Sequence, residues 1–420
     1  MKKVFITAGI VCDKRKLDIL RISKYLMRND YEIVDSPKKA DVILISTCGV
    51  SNSLADKTFN KIKELHKYDG EVIVTGCLPD TDKKRFDHFF NGRSFSTKHI
   101  DEIETFFPGN KVSFSEIEDC NSLWINVNRD KISDIFKLLF LKFDLTKRAY
   151  VGFFDHILRN QIGEDHLILH AFYALNLPID DLYIIRIASG CRGNCSYCAA
   201  KKAVGVFKSK PLNICLNEFK NGLEKGYSNF FLTAEDTGGY GLDINSNFLD
   251  LLDKITNFDG GYRINIYALN PRWVVQYIDE LEEIVKKGKI KAVCIPFQSG
   301  DNRILELMNR YSDVEEIKSA FIRLKKANSD LSLATHCIVG FPSETDQEFK
   351  ETLDFIKATD LDLGLIISMS IRADTEAENI EPKVSKKELS KRLSSAQKYL
   401  RNSGYKTIKA NDTLIFSKKR

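Results

Sequence analysis

Three cysteines stand at spacings of four and three in "ASGCRGNCSYCAA", residues 188–200: Cys191, Cys195 and Cys198. Thiolates at such spacing hold zinc or an iron–sulfur cluster. A closed zinc site takes four ligands, usually in paired CxxC form. No fourth ligand follows here, because the next cysteine, Cys215, lies in a stretch with helical spacing. Three thiolates instead suit a [4Fe–4S] cluster with one iron left for a small ligand. Gly190 and Gly193 let the backbone wrap closely around such a group, and Tyr197 places an aromatic ring before the last cysteine.

A second trio is scattered. Cys12, Cys48 and Cys77 occur in "GIVCDK", "STCGVS" and "TGCLPD", each at or just past the end of an apolar run (residues 3–9, 41–47 and 71–76). Helical spacing fills 14–29 and 53–67 between them. Continuous apolar strands alternating with helices predict a parallel, doubly wound, flavodoxin-like sheet over residues 1–110. Ligands of such sheets bind outside the carboxyl ends of the strands. One cysteine there reads as a small buried hydrophobe; three at equivalent strand ends favour ligation.

The remaining chain must position these sulfurs. Residues 111–180 read as an inserted or linking unit of three short amphipathic helices (130–143, 149–161, 165–177), rich in Phe, Leu and Ile. His166 and His170 sit four apart there, without the Glu of an HExxH pattern, and Cys120 gets no role. From 181 to 380, strand-like runs at 183–189, 229–236, 262–271, 290–300, 331–342 and 361–371 alternate with helices, predicting a partial TIM-type (βα)6 barrel. Cys191, Cys195 and Cys198 follow its first strand, at the face where barrel active sites lie. Cys215, Cys294 and Cys337 fall inside helix or strand patterns and read as core. Residues 381–420 read as a Lys-rich helix (384–404) and a short tail.

The totals bound the answer loosely. A chain of 420 residues, 43% hydrophobic and 29% charged, reads as globular, and its +5 net charge neither demands nor forbids a nucleic-acid partner. No apolar run nears the roughly 18 residues of a membrane span. The opening "MKKVFITAGIVC" has no small-residue cleavage site and reads as a first strand, so the expected compartment is the reducing cytosol.

With these residues in view, the chain resembles the radical S-adenosylmethionine (SAM) methylthiotransferase family. The resemblance rests on CxxxCxΦC with Tyr197 as Φ, and on "STCGVSNSLADK", "TGCLPD", "FLTAEDTGGYGLDI", "IPFQSGDNRILELMNR" and "VGFPSETDQEF". "AEDTGGYG" is most similar to the branch that thiomethylates N6-threonylcarbamoyladenosine in transfer RNA. The resemblance implies two [4Fe–4S] clusters and SAM as cofactors. Cys191, Cys195 and Cys198 would hold the cluster that binds and cleaves SAM; Cys12, Cys48 and Cys77 would hold a second one that delivers a methylthio group. It further implies Glu235 and Asp236 as candidates for the SAM ammonium, Gln298 for its ribose, and Gly340 for room near the adenine. An electron donor such as flavodoxin or ferredoxin is implied as a partner.

Departures from the family pattern bear on substrate. Cys12 lacks the usual preceding glycine, "SIRADTEA" (370–377) stands in place of an Arg-Pro-Gly-Thr-Pro-Ala segment, and His336 takes a position usually held by Asp. Only 16 residues follow the last helix, too few for the family's C-terminal TRAM barrel. Two substrates stay open: transfer RNA, with binding that weakens steeply with salt, or a protein or peptide side chain recognised by the 120–178 unit. A non-catalytic two-cluster electron carrier would have no use for the SAM-site motifs.

Overall fold

The structure, a computed structural model, describes residues 2–9, 11–109, 111–122 and 182–418. The three helices expected within 130–177, with His166 and His170, lie outside the described residues. The chain forms two compact units, Met1–Leu167 and Ile168–Arg420.

In the first unit, β-branched runs make the strands. These are β1 (Lys3–Ala8), β2 (Glu32–Ile33), β3 (Val42–Thr47) and β4 (Glu71–Gly76), all parallel in the order β2-β1-β3-β4. The two-residue edge strand β2 had no periodic signal in the sequence. Side chains alternate between faces. Val42, Leu44 and Ile73 pack with Ile22, Tyr25 and Leu26 of helix α1 (Asp13–Arg28). Ile43, Ile45, Val72 and Val74 pack with Ala55, Phe59 and Ile62 of helix α2 (Asn52–Leu65). Both faces are therefore covered, which is why the strands read as unbroken apolar runs.

This unit's packed core runs past residue 110, where the sequence suggested a boundary. Phe114 and Ile117 are buried beside α1, and Arg21 donates to the carbonyls of Ile117 (2.7 Å) and Phe114 (3.1 Å). Beyond β4, helices α3 (Leu78–Thr81) and α4 (Lys83–Phe89) follow, then α5 (Ile103–Phe106).

The second unit carries the six expected parallel strands: β5 (Leu182–Arg186), β8 (Asn229–Thr233), β9 (Arg263–Ile266), β10 (Ile290–Cys294), β11 (Ser332–Val339) and β12 (Leu363–Ser368), with the small pair β6 (Ala188–Ser189) and β7 (Lys208–Ser209) between the first two. Helices α6 (Ala200–Val204) and α7 (Leu212–Glu224) precede β8; α8 (Phe248–Thr256) precedes β9; α9 (Pro271–Gln276) and α10 (Ile278–Lys286) precede β10. Helices α11 (Asn302–Leu307) and α12 (Val314–Ala327) precede β11, and α13 (Asp346–Ala358) precedes β12. Leu232, Ile264, Val293, Leu333 and Cys337 belong to the core under these helices. Their alternates, among them Asn265, Cys294 and His336, therefore face the opposite side of the sheet. Cys215, Cys294 and Cys337 are buried, as read from the pattern.

The C-terminal tail is not a tail. After helix α14 (Lys386–Asn402), β13 (Tyr405–Ala410) and β14 (Thr413–Lys418) form a hairpin around Asn411 and Asp412, and β14 pairs antiparallel with β12. The sheet thus runs β13-β14-β12-β11-β10-β9-β8-β5. Asn411 takes φ +48°, the left-handed conformation that two-residue hairpin turns require. "YKTIKANDTLIF" therefore carried a hairpin signal that its short length obscured. Among the described residues, no helix is long and apolar enough to cross a membrane.

Phe416 is fully buried and packs edge-on against Tyr405 at 5.4 Å. Phe416→Ala should cost about 3–5 kcal/mol of stability and lower the melting temperature measured by circular dichroism. An unchanged melting temperature would show that the hairpin is not part of the cooperative fold.

Candidate active site

The loop from Gly190 to Cys198 leaves β6 and is framed by its pairing with β7. Gly190 has φ +74°, and a side chain there would sit 2.3 Å from the Val206 carbonyl, so the close approach of the two strands demands glycine. Gly193 lies between two sulfurs: a Cβ built on it would be 3.4 Å from the Cys191 sulfur and 3.9 Å from that of Cys195. Its N–H donates to the Cys191 sulfur at 3.3 Å, and the Cys198 N–H donates to the Cys195 carbonyl at 3.0 Å.

The three thiols are near enough to feel one another. Burial pushes Cys191 up to about 12, helped by Asp236 and by the Cys198 and Cys195 sulfurs. Burial, then Cys195, raises Cys198, against the lowering pull of the Lys201 and Ala200 N–H groups. Cys191 and Cys198 thus resist ionisation until a cationic centre takes their thiolates. Among the described residues, no trio of His, Cys, Asp or Glu is spaced for a single ion, whose donors stand about 2.0–2.3 Å away. Three thiols on one loop, near enough to influence one another, are a donor set that a [4Fe–4S] cluster takes. The loop fits that group.

Asp236 is buried just past β8. Its Oδ1 accepts from the Trp273 indole at 2.8 Å, and Arg272 lies 3.5 Å from Oδ2, an oxygen that accepts no hydrogen bond. Two residues of α9 thus hold this carboxylate beside Cys191. Glu235 is its half-buried neighbour. Gln298 sits past β10 at φ +73°, rare for a buried non-glycine residue. Its N–H donates to the His336 carbonyl (3.0 Å) and its own carbonyl accepts from the Ile338 N–H (2.9 Å). His336 shares this region: its Nε2 lies 3.7 Å from the Cys294 sulfur, and burial lowers its pKa to about 4.

Gly340 departs from expectation. Its φ is +80°, and a Cβ there would come within 1.9 Å of Leu389 in α14. The missing side chain makes way for the C-terminal helix.

The other three cysteines follow neighbouring strands of the first unit. Cys12 caps α1, while Cys48 and Cys77 directly follow the paired residues Thr47 and Gly76. The Cys77 N–H donates to the Thr47 carbonyl at 2.9 Å, and Val11 packs with Cys48. Strands β1, β3 and β4 are neighbours, and adjacent strands stand about 4.8 Å apart. All three cysteines therefore sit at one edge of the sheet.

Two residues missed in the sequence hold the 191–198 loop from behind. Ser196 donates through its N–H to the Met308 carbonyl (3.1 Å) and through its hydroxyl to the Leu307 carbonyl (2.7 Å). Arg310 reaches the Cys195 sulfur and the Tyr197 hydroxyl, each at 3.4 Å. Neither residue belongs to a metal-ligand pattern, so spacing alone had no means of finding them.

Comparison with known proteins gives this geometry a family. A model of the radical SAM superfamily matches residues 185–356, and one of the uncharacterized protein family UPF0004 matches residues 2–95. A probable threonylcarbamoyladenosine tRNA methylthiotransferase of Pyrococcus horikoshii is 31% identical over 362 residues, spanning 85% of this chain and 74% of that protein. The chain belongs to the radical SAM methylthiotransferase family. A ribosomal protein uS12 methylthiotransferase RimO, from Natranaerobius thermophilus, is 29% identical over 396 residues, 92% of this chain and 79% of that one. Among solved structures, the radical SAM methyltransferase TsrM from Kitasatospora setae, with cobalamin and a [4Fe–4S] cluster bound, shares the fold. It aligns with TM-score 0.57 and 14% identity over 90% of this chain and 77% of its own. This radical SAM methylthiotransferase is an enzyme that uses SAM and [4Fe–4S] iron–sulfur chemistry.

Gly340→Ala should destabilise the enzyme by about 1–3 kcal/mol, since alanine is strained at positive φ and its methyl meets Leu389. Adding Leu389→Ala should recover part of the loss in thermal melts. A stable Gly340→Ala protein with weakened SAM binding would instead return the glycine to the cofactor pocket.

Proposed function

We propose that this radical SAM methylthiotransferase replaces a C–H bond of N6-threonylcarbamoyladenosine in transfer RNA with C–SCH3. The observation that carries the two-site chemistry is the pair of cysteine trios. Cys191, Cys195 and Cys198 share one loop past β6, and Cys12, Cys48 and Cys77 share the carboxyl edge of three adjacent strands. In this reading each trio would hold a [4Fe–4S] cluster. Bound at Cys191, Cys195 and Cys198, such a cluster would supply the one-electron chemistry that cleaves SAM.

The protein groups then divide the work. Asp236, fixed by Trp273 and Arg272, offers Oδ2 to the SAM ammonium, with Glu235 beside it. Gln298, locked to β11 by two backbone bonds, would hydrogen-bond the ribose through its side-chain amide. The hydrogen removed from the substrate ends in 5′-deoxyadenosine. A second SAM would supply the methyl group and leave as S-adenosylhomocysteine, sulfide would supply the sulfur, and the one electron released when methylthiolate joins the substrate carbon radical would pass to the iron–sulfur centre held by Cys12, Cys48 and Cys77. A flavodoxin or ferredoxin provides the reducing electron. The transfer RNA substrate is supported by the similarity to the Pyrococcus horikoshii threonylcarbamoyladenosine tRNA methylthiotransferase; a protein side chain, as for RimO, is the competing outcome.

The test incubates reconstituted enzyme anaerobically with SAM, sulfide and reductant, offering transfer RNA and ribosomal protein uS12 separately. Mass spectrometry should find one CH3S in place of one H on the modified adenosine alone. Gain of that mass only on the protein overturns the RNA assignment. Cys48→Ala should still form 5′-deoxyadenosine yet give no methylthiolated product, whereas Cys191→Ala should lose both; product from Cys48→Ala would remove the second site from the reading.

A further inference from the structure

Arg310 is placed by the way its helix ends. Helix α11 stops at Leu307, and Asn309 takes φ +53°; its N–H bonds the Glu306 carbonyl and the Arg310 N–H bonds the Leu305 carbonyl, both at 2.9 Å. This is the paired closure of a Schellman motif, with Asn at the left-handed position. It leaves the Leu307 and Met308 carbonyls as orphan acceptors, and Ser196 of the cysteine loop satisfies both. The Ser196 carbonyl in turn accepts from the Ala377 N–H at 2.9 Å. The loop is therefore pinned to the end of α11 at the residue between Cys195 and Tyr197.

The Arg310 guanidinium completes the clamp. One terminal nitrogen, Nη1, lies 3.4 Å from both the Cys195 sulfur and the Tyr197 hydroxyl, while Nη2 donates to the Pro296 carbonyl at 2.6 Å. Arg stays charged at any pH the protein meets. Hydrogen bonds to the sulfurs and nearby charge are two of the factors that set the potential of an iron–sulfur cluster, and second-shell groups also orient the ligands.

We infer that Arg310 is a positioning residue that fixes Cys195 and Tyr197 and raises the reduction potential of the cluster bound by the 191–198 loop. The inference rests on Cys195 being a cluster ligand. Reduction adds one negative charge to the cluster, and a fixed cation at one of its sulfurs favours the reduced form. Removing that cation makes the electron harder to deliver from the same donor.

The test is an EPR-monitored redox titration of anaerobically reconstituted protein in a Cys48→Ala, Cys77→Ala background, so that only this cluster is read. Poised at the midpoint of that parent, Arg310→Met should show a reduced-to-oxidised ratio lower by about tenfold, the loss expected for one charge-assisted hydrogen bond and about 59 mV for one electron. Arg310→Lys, which keeps the charge but not the fork, should fall between the two. If Arg310→Met and Arg310→Gln take up no iron while their circular dichroism is unchanged, the positioning role stands by itself. Full iron content with the parent midpoint in Arg310→Met overturns the inference. Cys195→Ala is the control for the underlying ligand assignment: a cluster that persists there refutes that assignment, independently of what Arg310→Met does.

Discussion

Burial places the sulfurs of one short loop beside one another, and Cys191 beside the carboxylate of Asp236, so that negative charge nearby raises the cost of ionising Cys191 and Cys198. In water those charges would be screened; in the interior they are not. The arrangement becomes favourable only when a metal centre takes the thiolates as ligands, and metal binding then draws on the same desolvation that raised the thiols. Much of the surrounding structure serves to hold this unfavourable set in place. The β6–β7 pair frames the loop, Gly190 permits its tight approach, Ser196 fastens it to the end of α11, and Trp273 with Arg272 fixes the acid.

The same logic explains why both trios stand at strand ends. In a parallel sheet covered on both faces, the strand interiors are packed with apolar side chains. Val42, Leu44, Ile43 and Ile45 leave no room there for a polar group. Only the loops beyond the carboxyl ends of the strands can present converging side chains to a ligand. Cys48 and Cys77 leave β3 and β4 at the same level because Thr47 pairs with Gly76, so register itself aligns the sulfur-bearing positions.

What could be read in the sequence follows from how local each feature is. The six barrel strands and the three long strands of the first sheet were legible because each is a continuous apolar run with few other ways to fold. The cysteines were legible because thiols at strand ends have a narrow chemical use. The terminal hairpin was missed because sixteen residues were weighed against a whole domain, and the Asn-Asp turn was passed over. Arg310 was illegible for a different reason. Its partners, Cys195 and Tyr197, lie over a hundred residues away in the chain, and only the folded end of α11 aims it at them. At Gly340 the sequence shows only that a side chain is absent; the folded chain adds that Leu389 packs against that position.

The measurement that bears most directly on the account is iron and acid-labile sulfide content of the anaerobically reconstituted enzyme. Two trios, each with a four-iron cluster, predict about eight iron atoms per chain. They predict about four when either Cys12, Cys48 and Cys77 or Cys191, Cys195 and Cys198 are replaced together by alanine. About four iron atoms in the unaltered enzyme, unchanged when Cys12, Cys48 and Cys77 are removed, would contradict it.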